Sequence, residues 1–483
     1  MKVLHISAEC YPAAKAGGLG DVVGALPKYL NKAKIETAVV LPKYHTKWML
    51  QQSFREVYRG TIRLHHHFIP FAIEEVENED LGYTLYIANI PGKFDRPGVY
   101  ADPAGYYYGD ELERYMSFQH AVLHWLLWME NKPAVLHCHD HHTGLVPFLV
   151  KHSIEFNSLG HIPTVFTIHN GEYHGAFSWN NAHLLPAFYT HHSGLIDWQN
   201  AINPLAAGIK NCWKLTTVSP NYMEELRTKS NGLEWLLNNE RPKSVGIING
   251  IDTQVWNPKT DPFIDSQLKR SLAKYKVANK AALHKRFNLK EDLPIFTFIG
   301  RLVREKGADL LPDMISRYLY DGHQGAFIVL GSGDSSLQDI FLSMKAHFAQ
   351  YFDAAIEYNE GLAHQLYAGS DFLMMPSRVE PCGLNQLYAM RYATVPIVRS
   401  VGGLRDTVSD IGEQDGRGIR FDHYSVDDGH HALIRATSLY EDQKSFTALQ
   451  KRIHKLDFSW EQSAAQYINI YEQLTHNFSR YAH

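Results

Sequence analysis

The chain has 483 residues, too many for one ordinary core, so two or three domains are expected. Hydrophobic residues make up 45% and charged residues 20%, which excludes a disordered or membrane-embedded class. With 47 Lys plus Arg against 51 Asp plus Glu, the net charge of −4 gives no ground for nucleic-acid or anionic-membrane binding.

In chain order, Lys2–Ser7 reads as a first strand, broken after a short apolar run by Glu9. That run is too short for a signal peptide, and no apolar stretch approaches a membrane span. A Gly-rich turn follows, Lys15-Ala16-Gly17-Gly18-Leu19-Gly20-Asp21, and then a helical pattern over Val22–Leu30. Thr37–Leu41, Ala134–His137 and Thr164–Thr167 are strands of the same style, and the alternation predicts βαβ units around a parallel sheet. The segment Asn249–Pro262 is rich in turn formers and holds two prolines, so it marks the best domain boundary. Beyond it, Asp265–Leu293 is charged and helical in pattern. Ile295–Ile299 is a strand, Arg301–Gly307 a turn, Ala308–Leu319 a helix, and Phe327–Leu330, Phe372–Met375 and Val395–Val398 are further strands. A second α/β domain is therefore expected. The cysteines Cys10, Cys138, Cys212 and Cys382 form no CxxC pair and read as reduced thiols, which predicts a cytoplasmic protein.

Five segments carry chemistry. In the turn at Lys15–Asp21, glycines bring backbone N–H groups to phosphate oxygens, and the helix start and Lys15 add positive potential. A tight strand-to-helix turn would use glycines there equally well. The run His137-Cys138-His139-Asp140-His141-His142 invites a zinc reading. The binuclear pattern HxHxDH, however, needs Asp at its fifth place, whereas Asp140 is fourth, and no matching carboxylate set occurs elsewhere. No metal is expected, and Asp140 is read as ending a strand and facing a sugar. His169, in Thr167-Ile168-His169-Asn170-Gly171, lies at a strand's carboxyl end, where ligands bind in open α/β sheets. Arg301 and Lys306 flank a turn after a strand and suit a departing diphosphate, although solvated basic turns are common. Last, Pro376-Ser377-Arg378-Val379-Glu380-Pro381-Cys382-Gly383-Leu384 follows a strand; its carboxylate can hold sugar hydroxyls and its glycine can expose backbone N–H groups.

The ordered series KAGGLGDV, TIHNGEYHG, TTVSPNY, NGIDTQVWNP, GRLVREKGADLL, SRVEPCGLNQLYAMRY, VGGLRDTV and DFSWEQSAAQY resembles the glycogen and starch synthases along nearly the whole chain. The resemblance implies an α/β GT-B fold, two Rossmann-like domains facing each other across a cleft. It places the domains at 1–252 and 253–455, with a C-terminal helix over 456–483 crossing back to the first. It implies transfer of glucose from ADP-glucose or UDP-glucose to the non-reducing end of an α-1,4-glucan, with retention and without metal or other cofactor; the nucleotide sugar is a substrate. It implies that Lys15 and Gly18 contact donor phosphate or acceptor, and that Asp140 and His169 line the glucose site. Arg301 and Lys306 would bind diphosphate, and Glu380 the glucosyl hydroxyls, with Cys382, Gly383 and Leu384 completing the donor pocket. Ala393 stands where the family usually has Gly, and Tyr388 stands where related retaining transferases carry a second Glu. Two rivals are another retaining GT-B enzyme acting on a small acceptor and a non-catalytic glucan-binding protein. The presence of every charged group above speaks against the latter.

Overall fold

Strands covered on both faces need continuous apolar runs rather than alternation, and the central strands here have them. The computed structural model describes residues 1–103 and 105–481. The strands, in chain order, are β1 (Lys2–Ile6), β2 (Glu36–Pro42), β3 (Phe54–Leu64), β4 (His67–Val76), β5 (Thr84–Asn89), β6 (Val135–His139) and β7 (Thr164–Ile168). After a two-residue pair, β8 (Asp197–Trp198) and β9 (Ala201–Ile202), come β10 (Lys214–Thr217) and β11 (Ser244–Gly246). The second half adds β12 (Ile295–Ile299), β13 (Ala326–Leu330), β14 (Phe352–Ala355), β15 (Phe372–Met375), β16 (Val395–Arg399) and β17 (Ile419–Phe421).

The chain divides into two units. Unit 1 comprises Met1–Val218, Met223–Ile247 and the segment from Trp460 onward. Its nine-stranded sheet has the order β11-β10-β7-β6-β1-β2-β5-β4-β3. All neighbours are parallel except β3–β4 and β4–β5, where the hairpin Phe54–Val76 folds back along one edge. Unit 2, Ser219–Tyr222 with Ile248–Ser459, holds a fully parallel six-stranded sheet of order β14-β13-β12-β15-β16-β17.

The divisions fall at Ile247/Ile248 and Ser459/Trp460 rather than after residues 252 and 455. The physical reason is local. Ile251 is buried in the core of unit 2, its N–H donates to the Phe458 carbonyl at 2.8 Å, and it bridges to Ser459. Both strand-like ends are therefore held in unit 2. The C-terminal helix spans Trp460–Tyr481, shorter at its start than the expected 456. Asp457 accepts the Ser459 N–H at 2.9 Å and turns the chain before the helix begins. Trp460, Ala464, Tyr467, Ile470 and Tyr471 then pack against Val22, Leu26, Tyr29 and Leu30 of helix α1 (Gly18–Lys32). Among the described residues no helix is long and apolar enough to cross a membrane.

Candidate active site

In an open parallel sheet the loops at the carboxyl ends part where the strand order reverses, leaving a crevice for ligands. In unit 1 the reversal lies between β1 and β6; in unit 2 it lies between β12 and β15. The sequence-predicted residues occupy the loops and helix starts after β1, β6, β7, β12 and β15.

After β1 the chain is shaped by Glu9, a residue the sequence reading passed over as a strand breaker. Its buried carboxylate accepts N–H groups of Ala16 and Gly17 at 2.6 and 2.8 Å, and the Tyr100 hydroxyl at 2.7 Å. Lys15 projects from this loop and pairs with Asp21 at 2.6 Å. Gly18 opens α1, with Gly17 as the residue before it. A Cβ added at Gly17 or Gly18 would meet nothing within 4 Å, whereas one at Gly24 would lie 2.4 Å from the Tyr11 carbonyl. Gly24 is thus demanded by packing. Gly17 and Gly18 leave bare backbone facing open space, which suits close approach of a ligand.

Asp140 follows β6 with φ of +53° and ψ of 179°, an extended positive-φ conformation that costs a non-glycine residue energy; such strain clusters at functional sites. Its Oδ1 accepts the His169 N–H at 2.7 Å and the Asn170 N–H at 3.4 Å, tying the loops after β6 and β7 together. Burial pushes the Asp140 carboxyl up to about 7, outweighing those two hydrogen bonds. His169 is buried and held neutral, its pKa lowered to about 3 by desolvation.

The histidine run resolves into hydrogen bonds. His137 meets the Tyr471 hydroxyl at 2.7 Å and the Thr167 hydroxyl at 2.6 Å, one through each ring nitrogen. His139 meets His5 at 2.9 Å and His169 at 3.0 Å, again one through each nitrogen. His141 turns instead to Glu111, at 3.0 Å.

In unit 2, Lys306 closes a short turn after β12 and places Nζ 2.6 Å from Oε1 of Glu380. The Ser377 hydroxyl donates to Oε2 at 2.9 Å. Glu380 is 6% exposed, so this carboxylate is desolvated yet paired. Two glycines with positive φ let the loops meet. A Cβ on Gly307 (φ +74°) would lie 2.0 Å from the Pro376 carbonyl, and one on Gly402 (φ +45°) 2.0 Å from the Glu380 carbonyl. Gly403 N–H donates to that same carbonyl at 3.1 Å. The Asn385 amide donates to the Ile299 carbonyl at 2.7 Å, and Arg399 donates to the Ser377 and Arg378 carbonyls at 3.2 and 2.9 Å. Asn385 and Arg399 are supports the sequence reading did not single out.

Arg301 differs from Lys306. Its side chain is 64% exposed and its nearest carboxylate, Glu305, is 3.8 Å away. The Cys382 thiol is buried and pushed up to about 12, so it is no nucleophile. Gly383 has φ of +73°, and Leu384 packs half-buried on the core of unit 2. Unit 2 thus offers a fixed carboxylate, an adjacent ammonium and an exposed guanidinium. Unit 1 offers a bare glycine loop, a strained Asp and a neutral His.

Residues 2–239 match the family described as starch synthase catalytic domain, and residues 279–452 match glycosyl transferases group 1. The catalytic domain of Starch Synthase IV from Arabidopsis thaliana, solved bound to ADP and acarbose, superposes with a TM-score of 0.85 at 32% identity, over 98% of this chain and 99% of that one. Sucrose-phosphate synthase from Thermosynechococcus elongatus superposes at 0.62 with 17% identity over 99% of each chain, a likeness of fold alone. The fold is that of a GT-B glycosyltransferase. The chain is 45% identical to a glycogen synthase of Flavobacterium johnsoniae over 98% of both chains, and 36% identical to one of Anoxybacillus flavithermus over 100% of both. It belongs to the glycogen and starch synthase family, hexosyltransferases that build α-glucans.

Proposed function

We propose that the enzyme transfers glucose from ADP-glucose to the non-reducing end of an α-1,4-glucan, with retention and without a divalent ion, in the cytoplasm. The observation that carries this reading is the Lys306–Glu380–Ser377 arrangement after β12 and β15, at the reversal of strand order in unit 2. As the bond from sugar to phosphate lengthens, positive charge grows on the ring and negative charge on the diphosphate. Glu380 holds glucosyl hydroxyls by charge-assisted hydrogen bonds. Lys306 and the exposed Arg301 stabilise the departing diphosphate oxygens. Cys382, Gly383 and Leu384 line the donor pocket beside Glu380. In unit 1, Gly18 and Lys15 serve phosphate or acceptor, and Asp140 and His169 serve the glucosyl unit.

ADP is favoured because a 32% identical starch synthase was solved with it. The positive charges of Lys306, Arg301 and Lys15, with the start of α1, support a reaction that needs no metal. The four buried free thiols suit a reducing compartment. The test is a competition between ADP-glucose and UDP-glucose with a maltooligosaccharide acceptor and product sizing. A ladder of longer glucans formed with higher kcat/KM from ADP-glucose supports the proposal; preference for UDP-glucose, or glucosylation of a small acceptor without a ladder, overturns it.

A further inference from the structure

His5, His139 and His169 form one hydrogen-bonded line through the interior of unit 1. His5 Nδ1 lies 2.9 Å from His139 Nε2, and His139 Nδ1 lies 3.0 Å from His169 Nε2. The line follows from register. His5 sits opposite His137 across β1 and β6, His137 and His139 are two apart and share a face, and His169 follows β7 next to them. His5 and His139 are fully buried, and His169 nearly so. Desolvation keeps all three neutral, with His5 and His169 lowered to about 3.

A neutral imidazole donates through one nitrogen and accepts through the other. Two links between three such rings therefore allow only two proton arrangements. In the first, His5 Nδ1–H donates to His139, His139 Nδ1–H donates to His169 Nε2, and His169 carries its proton on Nδ1. In the second every proton is reversed, and His5 must carry N–H at Nε2. That atom is buried and, among the described residues, has no hydrogen-bond partner. A buried N–H without an acceptor carries its full desolvation penalty and is rarer than an unused acceptor. At the other end, no partner for His169 Nδ1 lies among the described residues, so that atom is available to a ligand.

We infer that His5 and His139 are positioning residues that lock His169 as the Nδ1–H tautomer, so that its ring offers the glucosyl unit a fixed hydrogen-bond donor and never an acceptor. His137 buttresses the line, stacked on His139 with ring centroids 4.3 Å apart and anchored by Tyr471 of the C-terminal helix. The inference rests on the proposed placing of His169 at the sugar, but the tautomer itself is measurable without substrate.

The experiment is long-range 1H–15N correlation on the full chain labelled with 15N-histidine, the His169 signals being assigned by their loss in His169→Asn. A single Nδ1-protonated ring is expected; an Nε2-protonated ring, or an averaged mixture, overturns the inference. His139→Phe removes the donor to Nε2 and should give mixed tautomers. It should also lower kcat roughly tenfold with donor KM little changed, short of the hundredfold or more that outright loss of a preorganised donor costs. His139→Asn, whose amide sits where Nδ1 of His139 does and can donate to Nε2 of His169, should restore both the single tautomer and most of kcat. A merely structural role predicts instead that His139→Phe lowers Tm while His169 stays Nδ1-protonated. If His139→Phe does not fold, the wild-type spectrum and His139→Asn still decide. Tautomers that scramble in His139→Phe while kcat holds would leave the line standing and overturn the placing of His169 at the sugar.

Discussion

Replacing Glu380 by Gln isolates charge from shape. In the structure the carboxylate takes Lys306 Nζ at 2.6 Å and the Ser377 hydroxyl at 2.9 Å. At an effective dielectric of about 20, unit charges that close attract by roughly 6 kcal/mol, most of which offsets taking both ions out of water. A Gln keeps an oxygen for Lys306 and a polar group for Ser377, so stability should fall by no more than about 1–2 kcal/mol. Turnover should respond differently. A carboxylate whose bonds to sugar hydroxyls strengthen as the ring gains positive charge contributes about 3–4 kcal/mol to the transition state, a loss of roughly a hundredfold to a thousandfold in kcat. ADP affinity should be unchanged or slightly tighter, because Lys306 no longer shares its charge with a full carboxylate. The assay is kcat with saturating ADP-glucose and maltooligosaccharide, alongside ADP titration and Tm. Near-wild-type turnover with unchanged Tm would refute the reasoning and leave Glu380 as an organiser of the loop.

Asp140→Asn should stabilise the protein above neutral pH. The folded pKa is raised from 3.8 to about 7, so the folded state keeps a proton that the unfolded chain loses. The group's contribution to stability therefore falls as pH rises from about 4 to 7 and is level beyond, by up to roughly 4 kcal/mol in all. Asn is the neutral isostere of Asp and meets the same backbone strain, so Tm of the variant should exceed wild type at pH 8 and match it near pH 4, while activity drops; a difference independent of pH contradicts the assignment. Gly18→Ala, which meets no neighbour, should raise stability by up to about 1 kcal/mol yet raise donor KM or abolish activity; full activity would remove this loop from the site. Gly402→Ala, driven against the Glu380 carbonyl, should instead lose both fold stability and activity, as read by thermal denaturation. Activity should survive EDTA; loss restored by Mg²⁺ or Mn²⁺ would overturn the metal-free proposal.

The apolar runs at Ile295–Ile299 and Phe372–Met375 match β12 and β15 to the residue, because strands buried on both faces announce themselves without alternation. The loops after them were legible for the same reason: glycines and prolines mark where strands end. Helix α1 starts at Gly18 rather than Val22, because a first turn tolerates glycines that a helix interior would not. The edge hairpin Phe54–Val76 was not read, since its half-exposed strands mix polar and apolar residues. Glu9 escaped because its meaning depends on Tyr100, 91 residues away. The link between His5 and His139 escaped because strand order, not spacing, brings their rings together. Ala393, noted as a departure where Gly is usual, proves to have φ of +61°, a conformation in which glycine carries no strain.

The central claim is that unit 2 holds the nucleotide sugar through Lys306, Arg301 and Glu380. A crystal structure of the full chain with ADP and a glucose analogue tests it most directly. The account predicts diphosphate oxygens within hydrogen-bond distance of Lys306 Nζ and the Arg301 guanidinium, and sugar hydroxyls on the Glu380 carboxylate. ADP bound elsewhere, with the Lys306–Glu380 pair at its present 2.6 Å and no ligand atom near either, would contradict it.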